Sequence, residues 1–151
     1  MLATTTAVLL AHWNCSFAYA RRWLLNKNTK EEAQEILADK VRFPWVQQPE
    51  WVRKALPISA APKSVIHYPN TDSYILAVDS KSYAGELRGG TCTGVIVDEA
   101  AYQPKLPEIL QAAELMTDKI ILLTTAEVGN AGARLYKELL ELPEGGVYFG
   151  T

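Results

Sequence analysis

Two adjacent acids, Asp98 and Glu99, directly follow the apolar run Gly94–Val97 and are the residues best placed to do chemistry. Such a run predicts a strand buried on both faces, and a rigid strand holds the carboxylates that follow it in fixed places. In phosphoryl transfer, one carboxylate holds Mg²⁺ and another orients and deprotonates the attacking water. We therefore assign Asp98 to the metal and Glu99 to the water; the alternative is a strand that simply ends in solvated acids.

A second polar pair, Thr124 and Thr125, follows the next apolar run, residues 120–123. In open parallel sheets ligands bind beyond the carboxyl ends of the strands, so both pairs are expected at one edge. Residues 106–116, which lie between the two runs, keep helical spacing and supply the crossover that parallel neighbours need. A small polar residue on the second strand is therefore placed to sense the terminal phosphate of a nucleotide.

With these motifs in view, the sequence resembles the ATPase domain of the large terminase subunit of tailed phages, the motor that packages viral DNA. The matching segments are Leu-Arg-Gly-Gly at 87–90, Gly-Val-Ile-Val-Asp-Glu-Ala-Ala at 94–101 and Ile-Leu-Leu-Thr-Thr-Ala at 121–126. An Arg-Gly pair a few residues before a Walker B motif of this form is more particular to that family than the two acids alone. The Thr-Thr-Ala segment is similar to the family's coupling motif, which links hydrolysis to DNA movement.

The resemblance implies a partial P-loop NTPase core of the ASCE/RecA-like type, with ATP and Mg²⁺ as cofactors. It implies double-stranded DNA, the phage portal and the small terminase subunit as partners, in the cytoplasm of the host cell. The residues it implies in catalysis are Asp98, Glu99, Thr124, Thr125 and Arg88, the last in a connector that could approach nucleotide or DNA.

One motif of the family is missing from the sequence, which contains no Gly-x-x-x-x-Gly-Lys-Ser/Thr segment. The backbone amides and the lysine of that Walker A loop cradle the phosphates of the nucleotide. We therefore expect residues 1–151 to be a single partial motor domain without a nuclease domain, inactive as an ATPase alone and completed by a chain that supplies the loop. Without the strand of that loop, the strand at 120–123 should have an open edge, which favours self-association.

Two alternatives stay open at this point: a piece of a helicase-like motor ATPase, and a non-catalytic binding module of the same fold. Composition agrees with all three, because 151 residues with 48% hydrophobic side chains and a net charge of −2 are typical of one globular domain. No apolar stretch approaches the roughly 20 residues of a membrane-spanning helix. Cys15 and Cys92 lie far apart without a Cys-x-x-Cys partner or a nearby His pair, so the sequence supports neither a disulfide framework nor a zinc site.

The alternation of strand and helix patterns predicts an α/β fold with a mostly parallel sheet and flanking helices. Residues 4–10 are β-branched and then continuously apolar, which predicts a buried strand. Thr29 and Glu32 form a capping box that begins a helix. The two β-rich runs 65–69 and 73–78 predict a hairpin. Near the start of the chain we expect a helix with one apolar face, made of Phe17, Ala20, Trp23 and Leu24, and a basic helix face, made of Arg21, Arg22, Lys27 and Lys30. The proline-rich stretch 42–63 should contain a short helix, and residues 81–90 should form a flexible connector. A last helix is expected at 131–142, followed by a strand from 147.

Overall fold

The computed structural model describes residues 2–59, 61–80, 90–103, 105–124 and Glu138. Within them one sheet has the strand order β2-β3-β1-β4-β5. Its strands are β1 Arg22–Lys27, β2 Val65–Tyr68, β3 Ser73–Asp79, β4 Gly94–Val97 and β5 Ile120–Leu122. β1 is parallel to β3 and β4, β4 is parallel to β5, and β2 is antiparallel to β3. The predicted α/β class with a mostly parallel sheet is confirmed.

Helices cover both faces of this sheet. They are α1 Leu2–Phe17, α2 Lys30–Leu37, α3 Phe43–Val46, α4 Glu50–Ala55 and α5 Leu106–Glu114, with a π-helical turn Ala38–Arg42 before α3 and a 3-10 turn Ala100–Tyr102 after β4. Side chains of α1 and α2 pack with Trp23, Leu25 and Ile96 on one face. Side chains of α5 pack with Leu24 and Val95 on the other. Because adjacent strand residues point to opposite faces, the apolar run of β1 supplies both cores.

The predicted strand at residues 4–10 is wrong, because these residues belong to helix α1. The buried positions of α1 recur at helical spacing and face the sheet: Ala7, Val8, Ala11 and Cys15. Leu9 and Leu10 are 43% and 49% exposed on its outer side. A continuous apolar run fits a buried helix as well as a buried strand, so hydrophobicity alone did not separate the two.

The predicted helix through Trp23 and Leu24 is also wrong. Helix α1 ends at Phe17, Ala20 takes a positive φ of 55°, and β1 begins at Arg22. Pairing with a parallel strand on each side favours the extended form over any local helical preference. Arg21 and Arg22 therefore lie at the start of β1 and Lys27 at its end, so the predicted basic helix face does not exist.

Several local predictions are confirmed. The Thr29 hydroxyl accepts from Glu32 N over 3.3 Å, and Glu32 Oε2 accepts from Thr29 N over 3.2 Å, which completes the capping box of α2. β2 and β3 form the predicted hairpin, and α4 is the short helix expected in the proline-rich stretch. The predicted connector at 81–90 lies outside the described residues except for Gly90. The last helix, predicted at 131–142, also lies outside them except for Glu138, which is helical. The strand predicted from 147 lies outside them entirely.

In the described part of the chain, no helix is both long and apolar enough to cross a membrane. Cys15 and Cys92 are both free thiols. β5 is the last strand of the described sheet on the side away from β2, which is the edge at which the sequence predicts an open strand.

Candidate active site

Strands β1, β3, β4 and β5 are parallel and end together at what we call the carboxyl edge. Asp98 and Glu99 follow the last residue of β4 at this edge, as predicted. Asp98 N donates to Asn26 O over 3.0 Å and so extends the β1–β4 ladder by one bond. Asp98 is only 6% exposed, so its carboxylate is held by the protein rather than freely solvated.

The Asp98 carboxylate has a polar partner on each of two other elements. The Thr4 hydroxyl, in the first turns of α1, donates to Oδ1 over 3.0 Å. The Lys27 ammonium, at the end of β1, donates to Oδ2 over 3.3 Å. Sequence reasoning missed Thr4 because its segment was interpreted as a strand. The available signal was a threonine near the start of a helix, which can lie beside an acid at the end of a strand.

Glu99 has an unusual backbone and a more exposed side chain than Asp98. Its φ and ψ of 52° and 41° place it in the left-handed region, which few non-glycine residues adopt and which often marks functional sites. The side chain is 47% exposed and its Oε1 lies 3.2 Å from Lys27 Nζ. Asp98 is therefore buried and fixed, whereas the Glu99 side chain faces solvent.

Lys27 bridges the two acids and was missed as a site residue by sequence reasoning. Burial by itself lowers the pKa of Lys27, but the charges of Asp98 and Glu99 and its hydrogen bonds to both outweigh burial and raise the pKa. The side chain is therefore an ammonium ion, 15% exposed, at neutral pH. In the sequence, Lys27 was interpreted as part of a basic helix face and not as a site residue.

A buried polar network fixes the carboxyl edge behind these charges. Gln103, which is 3% exposed, donates from Nε2 to Asp98 O over 3.0 Å. The Ser80 hydroxyl, just beyond β3, donates to Gln103 Oε1 and lies 3.3 Å from Lys27 O. The network ties the ends of β1, β3 and β4 together, and such satisfied buried networks hold one arrangement firmly.

Thr124 is tied to the turn that directly follows Asp98 and Glu99. Its hydroxyl accepts from Ala101 N over 3.2 Å, and the preceding Leu123 O accepts from Ala100 N over 2.9 Å. The structure thus brings Thr124 to the same edge as the two acids. Thr125 and Arg88, the other two predicted residues, lie outside the described part of the chain.

The donor atoms at this edge fit Mg²⁺, which takes oxygen ligands and is commonly held by one or two carboxylates with substrate phosphates completing the shell. A helix-start hydroxyl and a strand-end aspartate are the pair that holds Mg²⁺ in P-loop NTPases, and Thr4 and Asp98 are such a pair. No cluster of three or more His, Cys, Asp or Glu side chains suited to a metal occurs among the described residues. These residues fit the phosphates of a nucleotide less well than they fit Mg²⁺, because Leu2 and Ala3, rather than a lysine, precede Thr4.

No protein-family model matches this sequence, and no curated protein matches it. Solved structures do. The large terminase ATPase domain of Thermus phage P74-26 is similar with a TM-score of 0.58 and 19% identity, over 97% of this chain and 62% of that one. A large terminase from a second phage, a thermophilic bacteriophage, gives a TM-score of 0.57 and 14% identity, over 91% of this chain and 34% of that one. The terminase of this second phage in complex with ADP gives a TM-score of 0.50 and 14% identity, over 80% of this chain and 28% of that one.

The similarity covers nearly all of this chain but only part of each relative. The chain spans about 62% of the length of the P74-26 ATPase domain and about a third of the terminase of the second phage. At identities of 14–19% the likeness is one of fold. The chain therefore has the fold of the ATPase domain of phage large terminases, which is the resemblance that its sequence motifs predicted.

Proposed function

We propose that this chain provides the catalytic edge of the ATP-driven motor that packages DNA into the capsid of a tailed phage. The observation that carries the proposal is the 3.0 Å contact between the Thr4 hydroxyl and the Asp98 carboxylate, with Glu99 beside it, in a terminase ATPase fold. Two elements distant in sequence, α1 and β4, meet there, and each supplies a group that phosphoryl transfer uses.

Each residue has a stated task in this proposal. Asp98 and Thr4 hold Mg²⁺, which supplies charge neutralisation at the phosphates when bound. Glu99, half exposed beside them, orients and deprotonates the attacking water. Thr124 accepts a hydrogen bond from the turn after Glu99, so it responds to the conformation of that turn and connects it to β5.

Gripping the phosphates of ATP is a task for another polypeptide segment, because the sequence contains no Walker A loop. Hydrolysis thus requires a segment that carries this loop and packs beside the carboxyl edge. Double-stranded DNA, the portal and the small terminase subunit are the partners of the completed motor in this proposal.

Mg²⁺-dependent ATP hydrolysis tests the proposal in two steps. We expect none from the chain alone, and a measurable rate when it is mixed or co-expressed with a terminase segment that carries a Walker A strand, loop and helix. Glu99→Gln should abolish the rate. Glu114→Gln, which neutralises an exposed acid on α5, is the matched control and should leave the rate unchanged.

Two results would contradict the proposal. Strong hydrolysis by the chain alone would show that no completing segment is needed. A complex that forms but hydrolyses no ATP, with Asp98→Asn and Glu99→Gln leaving its formation unaffected, would favour a non-catalytic binding module of the same fold.

A further inference from the structure

Lys27 contacts both acids of the candidate site at once. Its ammonium nitrogen lies 3.3 Å from Asp98 Oδ2 and 3.2 Å from Glu99 Oε1. Asp98 Oδ2 is one of the oxygen atoms that a divalent cation on Asp98 would use, and Glu99 adds a second negative charge beside it. The lysine is fixed at its base, because residues 22–27 of β1 pair along their whole length with β3.

The local charge count makes this contact consequential. Two carboxylates and one ammonium leave a net charge of about −1 at the edge, whereas the two carboxylates alone would present −2. A divalent cation is attracted by the carboxylates and repelled by the ammonium, and at separations of a few ångströms near a protein surface each such term reaches kcal/mol size. Lys27 therefore opposes the binding of the cation that Asp98 and Glu99 attract.

We propose that Lys27 is a built-in competitor of the divalent cation, a positioning residue that sets how tightly Asp98 binds metal. The inference rests on the proposed function, in which Asp98 is the metal-binding carboxylate. It assigns to Lys27 a function beyond neutralising charge in the fold, because the ammonium must leave Asp98 Oδ2 when the metal takes that oxygen atom.

The alternative is a purely structural lysine, which stabilises the edge by pairing with two acids. The two roles make opposite predictions for Lys27→Met, which keeps most of the apolar stem and removes the charge. A structural lysine, once removed, leaves a disordered edge that binds metal equally or more weakly. A competing lysine, once removed, leaves the Asp98 carboxylate free to bind metal more tightly, with the negative charge of Glu99 beside it.

The experiment is a titration of the whole chain with Mn²⁺, followed by electron paramagnetic resonance of the free ion. We expect Lys27→Met to bind Mn²⁺ about tenfold more tightly than the wild type, a change of about 1.4 kcal/mol. Lys27→Arg, which keeps the charge, should stay close to the wild type. Lys63→Met removes an exposed lysine elsewhere and is the matched control for net charge. Mn²⁺ should also raise the melting temperature of Lys27→Met more than that of the wild type.

Asp98→Asn separates the failure of this inference from the failure of the proposed function. If the wild type and Lys27→Met bind Mn²⁺ equally, or Lys27→Met binds it more weakly, while Asp98→Asn abolishes binding in both, the carboxylate site stands and the competition is disproved. If Mn²⁺ binds none of the folded variants, or binds regardless of Asp98→Asn, Asp98 is not a metal ligand and both proposals fall.

Discussion

Thr4 and Asp98 are 94 positions apart in the sequence, and the Thr4 hydroxyl donates to Asp98 Oδ1 over 3.0 Å. This bond joins the start of α1 to the end of β4, two elements whose main contacts are with other parts of the sheet. Because Asp98 is charged and largely buried, the bond should contribute to stability as well as to the site.

Thr4→Val removes this donor with little change of shape. We expect the free energy of unfolding to fall by about 1.5–3 kcal/mol, the usual contribution of a hydrogen bond to a charged group. Urea unfolding followed by circular dichroism measures the change. Thr6→Val is the matched control, because Thr6 is exposed and its hydroxyl donates to Leu2 O within α1; its effect should stay within about 0.5 kcal/mol. Equal effects of the two changes would show that the contact with Asp98 contributes nothing.

Gly94 has no room for a side chain. A Cβ at this position would lie 2.5 Å from Trp23 Cζ3 and 2.7 Å from Cη2. Trp23 is buried, and its indole N–H donates to Asn14 Oδ1 over 3.0 Å, so the ring cannot move without losing that bond. Gly94→Ala should therefore lower the free energy of unfolding by about 1–3 kcal/mol, the range for overpacked cores.

Gly90→Ala is the control for this substitution. A Cβ at Gly90 would meet Arg22 Nη1 at 2.7 Å, but that atom is the far end of a flexible side chain and can move aside. We expect a clearly smaller loss of stability than for Gly94→Ala in the same urea titration. If Gly94→Ala is as stable as Gly90→Ala, the close packing of β4 on Trp23 is incorrect.

The parts of the fold that the sequence predicted correctly are those in which one local signal has one meaning. Thr29 and Glu32 can cap only a helix start, and four apolar residues between Thr93 and Asp98 are too few for a helix. The first 24 residues carry no such signal. Their apolar runs suit a helix or a strand, and only the pairing of β1 between β3 and β4 decides between them.

The candidate site was predictable to the same extent. Asp98, Glu99 and Thr124 follow strands that the sequence identifies, so their shared edge could be inferred from the fold rules alone. Thr4 and Lys27 reach the edge from elements that were assigned wrongly. Their roles depend on contacts across 94 and 71 positions, which no local pattern encodes.

His12 should make stability depend on pH. Its Nδ1 lies 2.7 Å from the hydroxyl of the buried Tyr68, and burial lowers the pKa of His12 below the ordinary 6.5. Burial raises the pKa of Tyr68, so its hydroxyl keeps its proton and forms a hydrogen bond with a neutral imidazole. As pH falls below about 6.5, the unfolded chain takes up a proton on His12 before the folded chain does, and the free energy of unfolding decreases until the folded pKa is passed.

Urea titrations of the wild type and His12→Gln at about pH 7.5 and pH 5.5 measure this effect. The wild type should lose more stability on acidification than His12→Gln, because all other titrating groups are common to both. Tyr68→Phe keeps the imidazole buried and should retain the loss, since burial is its cause. Parallel pH profiles of wild type and His12→Gln would refute the buried, neutral state of His12.

The edge strand β5 leads to the last prediction. In the described part of the sheet β5 pairs with β4 on one side only, and its apolar residues 120–122 are half-buried. A strand edge of this kind offers unpaired amide and carbonyl groups to another chain. We expect sedimentation velocity to show association that grows with protein concentration. The Walker A segment proposed to complete the motor should compete with this association if it pairs beside β5. Adding that segment should therefore replace the self-associated species with a heterodimer of the chain and the segment. A monomer at all concentrations, with or without the segment, would show that this edge is protected and that the motor is completed elsewhere.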